Sequence, residues 1–596
     1  MERETLVGQA RELLKKGDFV GVYDVACKAL EDTQNADPIL AHLAVLSLAR
    51  SGATTQAEHW YQKIKAILPP TEDNLSLEAR LYKDQFLKAK DPHIKIQLGK
   101  KARDQYLEAY RINNNYYPAI NAATLSLMIG DEKACRRLAE EVLTLCGPDT
   151  SSGGSEDYYL DVTRAEANLL LGNDDKVSPA LAHACRGQAH DYGKLSTTWK
   201  QLSLICEHRR VPTDCIEAIR PPTVIAFMGQ TIHGMGKSPG IDPADEGMLR
   251  EQIRSLLKQH NIKIAFGSLA CGADLMIAEE ILNQGGELNV ILPFSEEEFK
   301  RTSVTPAGPA WEEKFERALA GAASMYHIVE DAYTGYDLLY EASSLQIMGL
   351  AYLRSQTLGS RVYQVVLWNG HPSASREGTA AAMHLWEGLG QRNLVIPVPE
   401  PRSKGVAPLP VPITQKIELK RHMKAMIFAD VKGYSSLKEN QLPQFITLWF
   451  KHLQRIFKKH ESNMLFSNTW GDAIYLVMDS ALAATRVSLE LIQLFGDKDF
   501  TRLDLPEDMG FRIAAHIGPV FEGYNPLIRK NEYFGTHVTQ TARLEPCTPV
   551  GSVYVTEPFA ALLSMETAGS YRCEYVGNLP LPKNYGRIRM YHLGEH

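Results

Sequence analysis

The 596-residue sequence has few cysteines, no excess of positive charge and no long apolar run. Its nine cysteines are scattered singly without a CxxC pair, which argues against a disulfide framework or a structural zinc site and is typical of a reducing compartment. Lys and Arg number 64 against 71 Asp and Glu, so nucleic-acid binding, which needs a basic surface, is not expected. No apolar run could cross a bilayer and the charged N-terminus has no signal-peptide core, which predicts a cytoplasmic protein without membrane contact.

What is present is ordinary globular composition over a length that corresponds to about four domains. Residues 1–210 read as helix after helix, with helix–glycine–helix patterns at four glycines: Gly17, Gly52, Gly130 and Gly172. The first two lie one tetratricopeptide-like period apart, which predicts an all-α array of degenerate TPR-like hairpins. A plain helical bundle would give the same pattern. By analogy, such an array would bind a protein partner.

Residues 221–394 change to short apolar strands that alternate with helices, which predicts a parallel α/β sheet. The expected strands are Val224–Met228, Ile262–Phe266, Leu288–Leu292, Tyr326–Val329 and Val362–Leu367. The second runs into GSLACGADLMIAEEIL, a small-residue turn and helix start whose backbone N–H groups could hold an anion. A tight turn that needs small residues for packing would explain the same residues.

This region resembles the SLOG superfamily of Rossmann-like nucleotide-ligand domains, through the strand–GSLACGAD–helix element and the following LNVILPFSEEEF segment. The PGGxGT signature of the related phosphoribohydrolases is missing. The resemblance therefore implies a sensor of a nucleotide-like ligand, without a second chemistry. The residues expected to bind that ligand are Gly229, Gly267, Ser268, Gly272 and Asp274.

Residues 395–417 contain six prolines without usable periodicity, which predicts a semi-extended linker before a last domain over 418–596. That domain opens with a strand that ends at Asp430 beside a glycine-containing turn. About forty residues later Asp472 follows a second glycine turn. Two strand-end carboxylates beside a phosphate loop would suit magnesium and a nucleoside triphosphate. A lone strand-end aspartate is more often a turn residue or a helix cap.

An ordered series of segments across residues 424–593 resembles the class III adenylate and guanylate cyclases. The segments are FADVKGYSSL, NTWGDAIY, FRIAAHIGPVFEG, YFGTHVTQTARLE and LPLPKNYGRIRMYHL. The resemblance implies an α+β fold of the ferredoxin-like palm type. It also implies two Mg²⁺ or Mn²⁺ ions in each active site.

Carried over residue by residue, the metal ligands are Asp430, Val431 and Asp472. The phosphate-cradling turn is formed by Lys432, Gly433, Tyr434 and Ser435. Arg543 matches the transition-state arginine and Lys583 the triphosphate lysine, although an exposed structural role is the alternative for both.

Three positions depart from the family pattern. Thr539 stands where the family has a ribose-orienting asparagine, one helical turn before Arg543. The two base-reading positions are Asn468 and Glu532. The carboxylate of Glu532 can accept a hydrogen bond from an exocyclic amino group, which favours adenine as the base. The amide of Asn468 both donates and accepts, so it excludes few bases.

The resemblance implies a head-to-tail homodimer with two equivalent sites, in which each protomer supplies half of each site. The predicted activity is a regulated conversion of ATP into cyclic AMP and pyrophosphate. Cyclic GMP, or a cyclic pyrimidine nucleotide of the kind used in phage defence, remains an alternative product. A non-catalytic nucleotide-sensing scaffold is the rival from another class. His516, alone on a core strand, is interpreted as structural.

Overall fold

The computed structural model describes residues 2–31, 37–147, 157–186, 191–232, 240–330, 333, 335, 338–371, 379–400, 419–503, 505–506 and 508–595. The chain folds as two compact units. The first comprises Met1–Pro221, Gln356–Ser360 and Glu574–Gly577, and the second comprises Pro222–Ser355, Arg361–Cys573 and Asn578–His596. None of the described helices is both long and apolar enough to cross a membrane, and all nine cysteines are free thiols.

The described part of the first unit up to residue 209 is helical, as the sequence predicts. Its α-helices are α1 (Glu2–Lys15), α2 (Phe19–Ala26), α3 (Lys28–Glu31), α4 (Pro38–Ser51), α5 (Thr54–Ile64), α6 (Glu72–Lys88), α7 (Pro92–Asn113), α8 (Tyr116–Met128), α9 (Glu132–Leu145), α10 (Asp157–Leu171), α11 (Val177–Ala184) and α12 (Tyr192–Arg209). The main apolar core of this unit runs from Ala79 to Ile219 and contains many alanines, which let neighbouring helices approach closely.

The hairpin turns depend on glycine. All four predicted turn glycines have a left-handed backbone, with φ between 66° and 90°, a region in which a side chain is disfavoured. Asp18 and Asp131 follow two of these glycines, and each side chain accepts a hydrogen bond from the backbone of the next helix. The glycine therefore ends one helix and the aspartate begins the next, which confirms the predicted helix–turn–helix pattern.

Six of these helices form a closed ring. The first helix of each hairpin contacts the first helix of the next, from α1 through α4, α6, α8 and α10 to α12, and α12 contacts α1. The closing contact is tight, because a Cβ atom added to Gly193 in α12 would lie 2.0 Å from the carbonyl oxygen of Leu14 in α1. These six helices are called the inner ring below. Its closure is a feature that the repeat pattern does not predict.

The second unit begins with a six-stranded parallel sheet in the order β4-β3-β2-β1-β5-β6. The strands are β1 (Thr223–Gly229), β2 (Ile262–Gly267), β3 (Glu287–Leu292), β4 (Ser324–His327), β5 (Val362–Trp368) and β6 (Asn393–Pro397). The helices between them are α13 (Glu246–Gln259), α14 (Ala273–Asn283), α15 (Glu296–Ser303), α16 (Pro309–Ala320), α17 (Leu338–Leu358) and α18 (Thr379–Gly388). The strand order changes direction between β1 and β5, where open α/β sheets commonly bind ligands.

Two details of this sheet correct the sequence-based expectations. Strand β4 lies two residues earlier than the expected Tyr326–Val329. Strand β6 pairs with β5 through Val395, Ile396 and Pro397, inside the predicted linker 395–417. β6 is an edge strand, where a proline without an N–H group is tolerated. The proline density of this segment therefore predicted a linker where the structure has a strand. The rest of the predicted linker, from residue 401 on, lies outside the described residues.

The second unit ends with an eight-stranded mixed sheet in the order β13-β14-β12-β10-β7-β9-β8, with β11 paired to β10. The strands are β7 (Lys420–Lys432), β8 (Met464–Trp470), β9 (Ala473–Met478), β10 (Gly510–Asn525), β11 (Lys530–Phe534), β12 (Ser552–Thr556), β13 (Tyr571–Pro580) and β14 (Arg587–Glu595). The helices are α19 (Leu442–Lys459), α20 (Ala481–Ile492), α21 (Lys498–Thr501), α22 (Thr536–Leu544) and α23 (Glu557–Thr567). The α+β character agrees with the expectation.

A chain of hydrogen bonds connects the two sheets of this unit. His516 Nδ1 lies 2.8 Å from the Thr556 hydroxyl, and His516 Nε2 lies 2.8 Å from His537 Nδ1. His537 Nε2 lies 3.1 Å from the carbonyl oxygen of Ile328, just after β4. The carbonyl can only accept, so His537 donates from Nε2, accepts at Nδ1 and is neutral. Burial lowers the pKa of His537 to about 4 and that of His516 well below its usual range.

This pair predicts that the second unit loses stability in acid. The pKa of His537 is lower in the folded chain than in the unfolded one, so its contribution is complete above about pH 6.5 and is lost as pH falls towards 4. Between pH 7 and pH 5 we expect the free energy of unfolding to fall by about 2 kcal/mol from this residue. His537→Gln, which can still donate to Ile328 but cannot titrate, should flatten the dependence in urea melts. An equal slope in both proteins would contradict the assignment.

Candidate active site

The two predicted metal-binding aspartates lie at the ends of neighbouring strands. Asp430 is near the end of β7, and Asp472 is in the turn between β8 and β9. The antiparallel register places Asp430 opposite Arg512 of β10, and Arg512 Nη2 donates a 2.6 Å hydrogen bond to Asp430 Oδ2. Burial and the nearby Asp430 charge both raise the pKa of Asp472. The structure therefore brings the two carboxylates into electrostatic contact.

Glu545, just after α22, is a third carboxylate that sequence reasoning missed, as it missed Arg512. Arg512 Nε lies 2.7 Å from Glu545 Oε1, so one guanidinium bridges Asp430 and Glu545. Burial raises the pKa of Glu545 to about 7, against the opposing effect of Arg512. Strand register was the one sequence signal that could have identified Arg512, because the FRIAAH strand that contains it pairs with the strand that contains Asp430.

The turn after Asp430 has the backbone needed for a phosphate loop. Gly433 has φ 90° and precedes a single 3₁₀ turn at Tyr434–Ser436. The Tyr434 ring packs on Phe445 of α19 at 5.8 Å between centroids, which leaves Ser435 on the outer side of the turn. Lys432 is half exposed and lies 3.2 Å from Asp508.

Arg543 of α22 contacts the segment before β14. The Arg543 guanidinium stacks on the Tyr585 ring at 3.9 Å, and Lys583 is exposed two residues earlier. Lys583 has φ 61°, a left-handed backbone that is uncommon for a residue with a side chain and is found more often at functional sites. Thr539 lies one turn before Arg543, is exposed, and donates to the Gly535 carbonyl at 3.3 Å. Arg543 thus contacts the segment that carries Lys583.

The two expected base-reading residues flank Tyr475. Asn468 on β8 is paired with Tyr475 of β9, and the Tyr475 hydroxyl donates to the Tyr533 carbonyl next to Glu532. Glu532 accepts a 2.5 Å hydrogen bond from the Asn525 amide, and Asn468 Oδ1 accepts one from the Thr469 backbone. A cavity of about 1100 Å³ opens beside Asn468 between α19, β8 and β11.

The donor set at Asp430 and Asp472 fits Mg²⁺ or Mn²⁺, because hard cations prefer carboxylate and carbonyl oxygens. Burial is the main cause of the raised pKa of Asp472, and the Asp430 charge acts in the same direction. Val431 lies opposite Phe511 in the β7–β10 register, and the Phe511 carbonyl accepts a 2.8 Å hydrogen bond from the Gly551 N–H on the other side of β10.

A different cluster meets a geometric criterion for metal ligands among the described residues. Its members are His452, Asp497 and Asp499, between α19 and α21. These carboxylates already lie near cations, since Lys451 is 3.3 Å from Asp499 and Arg455 is 3.8 Å from Asp497. The cluster is therefore accounted for as an ion-pair network that holds α21 against α19.

In the parallel-sheet region, three of the five expected sensor residues line a cavity of about 350 Å³. They are Gly229, Ser268 and Asp274. Burial raises the pKa of Asp274 to about 7. Gly267 and Gly272 are not among the lining residues: the first packs on the Phe227 ring, and the second begins α14 with φ 115° beside the backbone of Gln230. For these two glycines the packing explanation is the one that fits.

Comparison with known proteins agrees with this geometry. Residues 419–595 match the model of the adenylate and guanylate cyclase catalytic domain, and residues 22–126 match the model named tetratricopeptide repeats-sensor. No curated protein matches the chain in sequence.

Several solved structures are similar over part of the chain. The adenylyl cyclase CyaB from P. aeruginosa is 16% identical over 30% of this chain and 97% of its own, with a TM-score of 0.27. The guanylate cyclase domain of RhGC from Catenaria anguillulae, in complex with GTP, is 17% identical over 30% and 99%, with a TM-score of 0.25. An adenylate cyclase from Trypanosoma brucei is 19% identical over 29% and 92%, with a TM-score of 0.25. The chain thus carries an N-terminal tetratricopeptide-repeat sensor domain and a C-terminal adenylate and guanylate cyclase catalytic domain.

Proposed function

We propose that the C-terminal domain is an active class III nucleotidyl cyclase that converts ATP into 3′,5′-cyclic AMP and pyrophosphate. The observation that carries this proposal is the pair of coupled carboxylates, Asp430 and Asp472, at adjoining strand ends within a segment that matches the cyclase model. The full domain plan that we propose is a helical repeat domain at 1–210, a SLOG-like domain at 221–394, a linker and a cyclase domain at 418–596. We place the protein in the cytoplasm.

Asp430, Asp472 and the Val431 carbonyl would hold two Mg²⁺ or Mn²⁺ ions. When bound, these ions would help deprotonate the ribose 3′-hydroxyl and neutralise the triphosphate. Arg512 pairs with both Asp430 and Glu545 and compensates part of their charge. The left-handed Gly433 turn, with Lys432, Tyr434 and Ser435, would present backbone N–H groups to the phosphates.

Arg543 would stabilise the charge that develops on the α-phosphate. Its stacking on Tyr585 orients the planar guanidinium, which lowers the entropy lost when it binds a phosphate. Lys583, exposed beside it, would bind the outer phosphates. His516 is buried and its pKa is well below its usual range, and this scheme assigns it no role as a general base.

We propose a head-to-tail homodimer in which Asp430 and Asp472 of one protomer face Arg543 and Lys583 of the other. The 1100 Å³ cavity beside Asn468 supports this arrangement, because Phe450 and Leu465 on its lining are 51% and 41% exposed. Apolar side chains at this exposure are typical of a surface that a partner covers. Asn468 and Glu532 would read the base, and Glu532 would accept from the adenine amino group.

We also propose that the 350 Å³ cavity of the parallel-sheet region binds a nucleotide-like ligand, with Gly229, Ser268 and Asp274 as contacts. The position of the cavity, beside the point where the strand order changes, supports a ligand site. Ligand binding there would regulate how two cyclase domains meet. The helical repeats would recruit a protein partner.

The first prediction from this proposal is that the full chain forms one cyclic nucleotide, cyclic AMP, when incubated separately with ATP, GTP, CTP and UTP and Mn²⁺. Asp430→Asn should reduce the product at least about a hundredfold, because it removes charge from the metal site. Glu439→Gln is the matched control, since Glu439 is exposed near the same turn and should be silent. Mass spectrometry identifies the product.

Each of the other outcomes of this experiment would lead to a different conclusion. A cyclic product from GTP, CTP or UTP alone would overturn the adenine assignment but keep the cyclase. Saturable ATP binding without any product in the homodimer would favour the rival, a nucleotide-sensing scaffold. Equal activity in Asp430→Asn and Glu439→Gln would contradict the metal site.

The second prediction concerns Thr539. An asparagine offers an amide donor and acceptor where threonine offers one hydroxyl, so Thr539→Asn should raise kcat by about tenfold with little change in KM. Thr539→Ala should lower kcat, because it removes the remaining polar group. Steady-state kinetics on all three proteins test this. Identical kcat values would show that position 539 does not contact the ribose.

A further inference from the structure

Glu532, the carboxylate proposed to contact the base, has one side-chain neighbour across the β10–β11 hairpin. The antiparallel register pairs Glu532 with Gly523, and Lys530 with Asn525. Directly opposed residues share a face of a hairpin, and residues two positions apart on one strand return to that face. Asn525 is therefore the diagonal neighbour of Glu532 on the same face, whereas Gly523, directly opposite Glu532, has no side chain to contact it.

The Asn525 amide has a fixed orientation. Its Oδ1 atom accepts a 2.9 Å hydrogen bond from the Leu527 backbone N–H, two residues further on, as in an Asx-turn. Its Nδ2 atom donates a 2.5 Å hydrogen bond to Glu532 Oε2. The oxygen and nitrogen cannot exchange places, because the amide nitrogen cannot accept from Leu527 and the amide oxygen cannot donate to a carboxylate. Asn525 therefore turns one particular oxygen of Glu532 towards the hairpin.

Tyr475 connects the two residues proposed to contact the base. Asn468 on β8 lies opposite Tyr475 on β9, and the Tyr475 hydroxyl donates a 3.1 Å hydrogen bond to the carbonyl of Tyr533, next to Glu532. Asn468 Oδ1 accepts from the Thr469 N–H at 2.9 Å, so its Nδ2 group is the part that can donate to a base. Asn468 thus supplies a donor, and Oε1 of Glu532 supplies an acceptor.

The number of acceptors decides which purine fits this pair. On its Watson–Crick edge adenine carries one donor, the N6 amino group, whereas guanine carries two adjacent donors, N1–H and the N2 amino group. A carboxylate binds both guanine donors only if both of its oxygens face the base. The Asn525 bond prevents Glu532 from aligning both oxygens in this way. One guanine donor would then be desolvated without a partner, which weakens binding.

We infer that Asn525 is a positioning residue that makes the nucleotide site discriminate against guanine, by holding Glu532 so that one oxygen faces the base. Asn525 acts through Glu532 and does not itself touch the nucleotide. The inference rests on the proposed function, because it takes Glu532 as the residue that contacts the base. It adds the reason for the choice of purine, since a carboxylate without this neighbour could accept from either one.

Steady-state kinetics of the full chain with ATP and with GTP, in Mn²⁺, test the inference. In Asn525→Ser the hydroxyl can still accept from the Leu527 N–H, but the amide donor to Glu532 is lost. We expect the ratio of kcat/KM for ATP to kcat/KM for GTP to fall about tenfold, because Glu532 can then accept from both guanine donors. Asn525→Asp keeps the size of the side chain but cannot donate, and should shift the ratio in the same direction.

Glu522→Ala is the matched control. Glu522 lies on the other face of the same hairpin and accepts a 2.8 Å hydrogen bond from the Asn531 amide. The variant therefore breaks an equivalent Asn–Glu bond without touching Glu532, and its ratio should equal that of the wild type. In a Glu532→Ala background, Asn525→Ser should no longer change the ratio, because a positioning residue acts only through the residue that it positions.

Binding of 3′-deoxy-ATP and 3′-deoxy-GTP, measured by isothermal titration calorimetry on the same proteins in Mn²⁺, provides a readout without turnover. These nucleotides lack the attacking hydroxyl and cannot be cyclised. A wild type that forms no product would count against the proposed cyclase, while the ratio of the two Kd values would still decide the role of Asn525. An unchanged ratio in Asn525→Ser, an equal loss for both nucleotides, a change that persists in Glu532→Ala, or no saturable binding would each overturn the inference.

Discussion

The pairing of β7 with β10 is the constraint on which the candidate active site depends. The two strands stay in register from Gly510–Lys432 to Glu522–Lys420, and this register sets Asp430 opposite Arg512. A shift of one residue would turn every side chain of β7 to the other face of the sheet, which would remove Asp430 from Arg512 and from Asp472. The buried alternation of Ile427, Ala429 and Val431 opposes such a shift, because it would expose apolar surface.

A guanidinium lies between two carboxylates at this site. Arg512 pairs with Asp430 at 2.6 Å and with Glu545 at 2.7 Å, so it partly compensates the acidic groups at the strand ends. Removing one partner of this part-buried arrangement would leave the remaining charges uncompensated. Burial raises the pKa of Glu545 and that of Asp472, and Arg512 opposes both shifts.

Much of this could be predicted from sequence where the signal is local. Gly17 and Gly433 stand where a left-handed backbone ends one element, and five strands of the parallel sheet follow from apolar runs. The features that the sequence did not predict depend on contacts between residues distant in sequence. Arg512 and Glu545 become site residues only through register and folding, and β6 was hidden because an edge strand tolerates proline. Gly267 and Gly272 were assigned to ligand binding, although packing against Phe227 and backbone explains them.

The contact of Gly193 with Leu14 has a consequence for how this helical array can change. An open array of hairpins gains or loses a repeat at little cost, because each repeat touches only its neighbours. Here the last inner helix packs on the first, so an inserted or deleted hairpin would pull α12 away from α1. Closure of the ring therefore fixes the number of repeats. Divergence in this region should occur through side chains facing the interior rather than through changes in length.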